Sequence, residues 1–162
     1  MSSSVSAKVA AAVIDGVHTD VAVLGFSNCV VVLATQLSSV GSLIQSVVSS
    51  NALAQQQEDQ FADPEKLFSE HDLPVDVKFV LGNSSATPAS SLYEIMAIHA
   101  TQLKHKQNPA DGRPLLFGVA LRLPREISGA SRATEQEELP DLTVYTPLVN
   151  AITTMVGECR VW

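Results

Sequence analysis

The stretch VAAAVIDGVHTDVAVLGFSNCVVVL, Val9 to Leu33, decides the fold. Two apolar, β-branched runs flank Asp15 and Gly16, and an Asp-Gly pair between such runs is the strong signal for a two-residue hairpin, because a type I′ turn needs positive φ at both central positions. Along the second run Thr19, Val21 and Val23 share one face, while His18, Asp20, Ala22 and Leu24 share the other. Ser27 and Asn28 then supply a second short turn before Cys29 to Leu33, a run too rich in β-branched residues to favour a helix. The reading is a three-stranded antiparallel meander. After a Ser- and Gly-containing break at Leu37 to Ser42, Leu43 to Val48 returns as a fourth strand.

From Ser49 to Pro74 the chain turns polar and acidic, with Glu58, Asp59, Asp63, Glu65, Glu70 and Asp72 against Lys66. A stretch of this composition reads as a long mobile loop. Val77, Phe79 and Leu81 then alternate with polar neighbours as a half-buried strand. Ser91 and Glu94 have capping-box spacing and predict a helix from Leu92, with Leu92, Ile95, Met96, His99 and Leu103 as its apolar stripe. Lys104, His105 and Lys106 suit its C-terminal dipole, and Asn108 with Pro109 ends it. Pro114 to Leu121 is almost wholly apolar and reads as a central strand. Arg122 to Leu139 is polar again, and Leu142 to Tyr145 fits either a turn or a short strand. Thr146 followed by Pro147 opens a last helix with the stripe Leu148, Val149, Ile152, Met155 and Val156. Residues 1–162 therefore read as one domain, with a mobile loop at 49–74 and a polar insertion at 122–140.

Composition narrows the function classes. The 162 residues are 46% hydrophobic and 17% charged, too apolar for a disordered chain. Ten Lys and Arg against seventeen Asp and Glu give a formal charge of -7, the wrong sign for a partner of nucleic acid or anionic membrane. The longest apolar run, Cys29 to Ala34, is far shorter than the roughly 18 residues of a spanning helix, and the Met1 to Ser4 start lacks a basic signal-peptide region. The expected setting is soluble, cytoplasmic or nuclear. Two cysteines, Cys29 and Cys159, are too few for a disulfide framework and read as packed thiols.

No phosphate-binding glycine loop, nucleophile elbow or CxxC pair is present in the sequence. His99 and His105 stand six apart, which turns them about 120° from one another on a helix and denies them a shared metal. The acidic residues fall mostly in the two polar excursions, where nothing would hold two carboxylates at the separation that acid/base chemistry needs. The chain reads as a non-enzyme without cofactor or metal. Two other readings stay open: a small-ligand-binding domain using His18, Asp20, Gln36 and Tyr93, and a generic α/β adaptor. Trp162, at the end of the sequence, either docks back on the core or serves an interface.

The segment Val13 to Ile44, with its hairpin, the TQ at Thr35 and Gln36 and the Gly41 turn, resembles the proteasome assembly chaperone 3 family. Val77 to Gly82 (VKFVLG), Leu115 to Leu121 (LLFGVAL) and the terminal Val161 and Trp162 extend the resemblance in the same order. It implies an α+β fold, a mostly antiparallel sheet of about six strands with helices on one face. It also implies a non-catalytic chaperone that dimerises with itself or with the related proteasome assembly chaperone 4. Such a dimer binds proteasome α subunits, promotes formation of the α ring and leaves before maturation. On this resemblance the partner contacts are Gln36, Leu37, Ser38, Val40 and Gly41 in the turn, with Glu58, Asp59 and Asp63 in the loop. The dimer contacts are Leu148, Ile152, Met155 and Val156 on the last helix, with Trp162; burial of that stripe against its own sheet is the alternative.

Overall fold

The computed structural model describes residues 5–49, 73–82, 87–123 and 141–162. The strands are β1 (Ser6–Ile14), β2 (Val17–Gly25), β3 (Val30–Thr35), β4 (Ser42–Val48), β5 (Val75–Leu81) and β6 (Leu115–Ala120). The helices are α1 (Pro88–Gln107) and α2 (Thr146–Glu158), the latter preceded by a 3-10 turn at Leu142–Tyr145. Asp15 and Gly16 take φ of 50° and 77°, the left-handed pair that a type I′ turn requires. The turn fixes the register, so Val21 stands opposite Ala10 on β1 and Ala34 on β3.

The sheet runs β1-β2-β3-β6-β4-β5. Four of its pairings are antiparallel, and β3 with β6 is parallel. The sheet is thus mixed and mostly antiparallel, with six strands and both helices on one face, the α+β fold that the resemblance implies. β4 does not lie beside β3; it leaves a slot that β6 fills after the α1 crossover. A strand in that central place needs apolar side chains on both faces, and LLFGVA supplies them.

Val21, Val23, Val30, Val32, Ala34, Ile44, Leu115, Phe117 and Val119 point to one face and are buried there with Leu92, Met96, Ile152 and Val156 of the two helices. Each fully buried side chain of this size contributes about 1.5–3 kcal/mol. α1 begins four residues earlier than the Ser91–Glu94 spacing predicts. Thr87 is its N-cap: its hydroxyl accepts from the Ser90 N–H at 3.1 Å, while the Ser90 hydroxyl accepts from the Thr87 N–H at 3.0 Å, with Pro88 in the first turn. Its buried face is also rotated from the expected stripe. Ala97, Ala100 and Thr101 lie inward beside Leu92 and Met96, whereas Ile95 and His99 are exposed. Small residues let the helix sit close to the sheet, where Thr101 meets the buried Ser46 hydroxyl of β4 at 2.6 Å.

Lys104 does not serve the helix dipole from solvent. It is buried, 4% exposed, and donates to the Asp111 backbone carbonyl while its ammonium lies 3.3 Å from the Asp111 carboxylate. Asp111 also takes a bidentate pair from Arg113 at 2.9 and 2.6 Å, and Arg113 reaches on to the Phe26 carbonyl. This clasp ties the end of α1 and the entry to β6 to the turn between β2 and β3. The Arg113 guanidinium, aided by Lys104, holds the Asp111 carboxyl well below the usual carboxylate range.

Candidate interaction surface

The other face of the sheet carries the most unusual feature of the molecule. Registers place Val9, Ala22, Leu33, Gly118, Leu43 and Leu81 side by side in one row across all six strands. The adjacent row is Ala7, Leu24, Val31, Leu116, Gln45 and Lys78. On β1, β2, β3 and β6 these two rows hold no polar side chain; Asp20 and Thr35 border the first row on β2 and β3, and the second row ends in Gln45 on β4 and Lys78 on β5. Both helices pack on the opposite face, so among the described residues no element covers this one. Val9 is 78% exposed and Leu81 63%. Scattered exposed hydrophobics need no explanation, but a contiguous apolar face of this kind marks an interaction site.

The face has relief. On its β1–β3 half lies a hollow of about 370 Å³ bounded by Val9, Ala11, Asp20, Ala22, Leu33 and Thr35. On the other half Gly118 leaves space that neighbours fill: a Cβ there would lie 2.6 Å from Leu33 Cδ2 and 3.1 Å from Val40 Cγ1. Leu33, Val40 and Leu43 therefore close together over the glycine.

Val40 belongs to the turn between β3 and β4, which is built by one side chain. The Thr35 hydroxyl accepts from the N–H groups of Leu37 and Ser39 at 3.1 and 3.3 Å and donates to the Ser39 carbonyl at 2.9 Å. Ser38 takes φ 53°, and the Gly41 N–H donates to the Val119 carbonyl. Gln36 locks the base: its amide donates to the buried Thr19 hydroxyl at 2.9 Å and accepts from the Arg122 N–H at 3.1 Å. The turn is consequently preorganised, with Leu37 and Val40 about half exposed. Gln36, Leu37, Ser38, Val40 and Gly41 thus cluster at one end of the apolar face. The signal that sequence reading lacked was the face itself, whose members on β1, β2, β3 and β6 come together only through pairing.

The remaining candidate residues lie elsewhere. Glu58, Asp59 and Asp63 fall outside the described residues, as does nearly all of both polar excursions. Leu148, Ile152, Met155 and Val156 are buried in the chain's own core, at 8, 1, 7 and 0% exposure. Their apolar area is taken up by the sheet and α1, which leaves little on that stripe for a second chain. Trp162 packs half-buried against the same core, and its indole N–H donates to Gln107 Oε1 at 3.1 Å. His18 is exposed and 2.9 Å from Asp20. Tyr93 is half-buried, with its hydroxyl pKa raised by burial and lowered in part by a hydrogen bond to the Leu121 backbone.

No family model matches this chain, and no curated protein matches its sequence. Among solved structures the fold is similar to that of a chain from a chaperone complex for yeast 20S proteasome assembly. The superposition covers 93% of this chain and 98% of that one, with a TM-score of 0.51 and 13% sequence identity. At that identity the likeness is one of fold.

Proposed function

We propose that this chain is a non-catalytic chaperone of proteasome assembly, acting in the cytoplasm as a dimer that binds α subunits and promotes formation of the core-particle α ring, then leaves before maturation. The observation that carries the reading is an apolar sheet face on a fold similar to that of a proteasome assembly chaperone. An exposed face of this size suits a protein whose working state has a partner. The dimer forms with a second copy or with a related chain of the chaperone 4 type. The turn at Gln36 to Gly41 offers Leu37 and Val40 to an α subunit from a stiff backbone, so little entropy is lost on docking. The acidic stretch around Glu58, Asp59 and Asp63 raises the encounter rate with basic client surfaces.

Affinity capture of the tagged chain from growing cells, with quantitative mass spectrometry, tests this reading. α Subunits should be enriched and mature β subunits should not. Recovery of other proteins without any α subunit would remove the proposal.

A further inference from the structure

We infer that the open edge of β1 binds an extended acidic segment of a partner protein as an added antiparallel strand, with a carboxylate of that segment seated in the groove beside Lys8 and Arg160. β1 and β5 are the two edges of the sheet, and they are built differently. An exposed edge is a template for pairing, which chains usually blunt with charges, proline or a bulge. β5 carries Asp76 and Lys78, follows Pro74 and pairs with β4 through a register shift at Leu43 and Ile44. β1 has nine residues in unbroken register with β2, no proline and one charge, Lys8. The hairpin turn fixes which of its backbone groups face outward. Ile14 and Val17 flank a two-residue turn and so form a hydrogen-bonded pair, and along an antiparallel ladder such pairs alternate with non-bonded ones. Lys8, Ala10, Ala12 and Ile14 therefore spend their N–H and C=O groups on β2. Ala7, Val9, Ala11 and Val13 turn theirs outward, a donor and an acceptor on each, and all of them are exposed.

In strand addition the main-chain bonds give affinity, and pockets for alternate side chains give the choice among segments. Here the pocket lies on the helix side. Ala10, Ala12 and Ile14 pack against the core, and Lys8 shares their face of the strand. On that side a groove of about 560 Å³ is bounded by Lys8, Gln107, Gly157, Glu158 and Arg160. The Trp162 indole N–H, a donor only, takes Gln107 Oε1 and leaves the amide nitrogen on the groove side, 3.6 Å from where a Cβ on Gly157 would stand. Lys8 and Arg160 form no ion pair among the described residues, and together they outweigh Glu158. Two unanswered cations beside an amide donor suit a carboxylate, which accepts charge-assisted hydrogen bonds from all three. The residue opposite Lys8 on an added strand would have its Cβ about 4.5–5.5 Å away, so an Asp or Glu there reaches the groove.

The probe is a short, end-blocked, fluorescent peptide of alternating Val and Glu, with its Val and Lys counterpart as control. In anisotropy titrations of the full chain at physiological salt, the Glu peptide should bind about tenfold tighter than the Lys peptide or better. Hydrogen exchange followed by NMR locates it: the amides of Ala7, Val9, Ala11 and Val13 should exchange fast in the free chain and about tenfold slower with the Glu peptide, while those of Lys8, Ala10 and Ala12 stay slow throughout. Lys8→Glu should reverse the preference between the peptides. Val9→Pro removes an N–H that faces outward, so it spares the pairing with β2; circular dichroism should show the fold kept while binding is lost. A Glu peptide N-methylated at alternate residues along its pairing edge tests the same bonds without changing the protein, and it should not bind. Failure of the Glu peptide to bind, equal affinity for the two peptides, or bound peptide without protection at Val9 and Ala11 would each overturn the inference. So would full binding of the Glu peptide by Lys8→Glu, which would leave Lys8 answering only the C-terminal end of α2.

Discussion

Asp111 shows how one carboxylate can hold distant parts of a chain. It answers the buried Lys104 ammonium and the Arg113 guanidinium at once. Asp111→Asn should therefore cost about 3 kcal/mol or more in urea unfolding, because it leaves Lys104 buried without its counter-charge. Since the folded-state pKa of Asp111 lies below its unfolded value of about 3.9, its contribution is fully present above about pH 5 and is lost as pH falls toward the folded value. The stability gap between wild type and Asp111→Asn should narrow on acidification below that point; an unchanged gap would contradict the clasp. Thr35 plays the corresponding part in the turn. Thr35→Val removes the acceptor for two backbone N–H groups and should cost about 1 kcal/mol, while weakening α-subunit capture more than it weakens the fold. Neither role was legible in the sequence. DGRP reads as an ordinary loop, Lys104 as a charge complementing a helix end, and TQ carries the resemblance without showing that Thr35 builds the turn or that Gln36 reaches Thr19 and Arg122.

At the scale of elements, legibility followed the distance over which partners meet. The β1–β2–β3 meander was readable because each pairing is closed by a local turn with its own chemistry. The place of β6 was readable only as central, since its apolar run marks an interior strand but does not say that β3 and β4 are its neighbours. α1 was found and misplaced, because Thr87 and Ser90 form a capping box that a search for Glu or Gln overlooks. Thr87→Ala should thus destabilise the protein by about 1 kcal/mol, whereas Ser91→Ala should have almost no effect in the same denaturation series. The stripe of α2 was correctly apolar, and it covers the chain's own sheet. Trp162 completes that packing, so its removal should lower stability measurably through the lost contact with Gln107 and the core.

At the scale of the whole molecule, a sheet with helices on one face leaves the other to be explained, and composition alone could not show it. Val9, Ala22, Leu33, Leu43 and Leu81 are spread over more than seventy residues of sequence and become one row only in register. The net charge of -7 acts at this scale as well. Association with a basic client should slow as salt rises, while a dimer held by apolar packing should respond little; stopped-flow mixing at several ionic strengths separates the two. The most direct measurement of the central claim is light scattering on the purified chain mixed with each recombinant proteasome α subunit in turn. The account predicts a stable complex of the dimer with at least one α subunit. A chain that leaves every α subunit unbound, with a chaperone 4-type partner supplied as well, would contradict it.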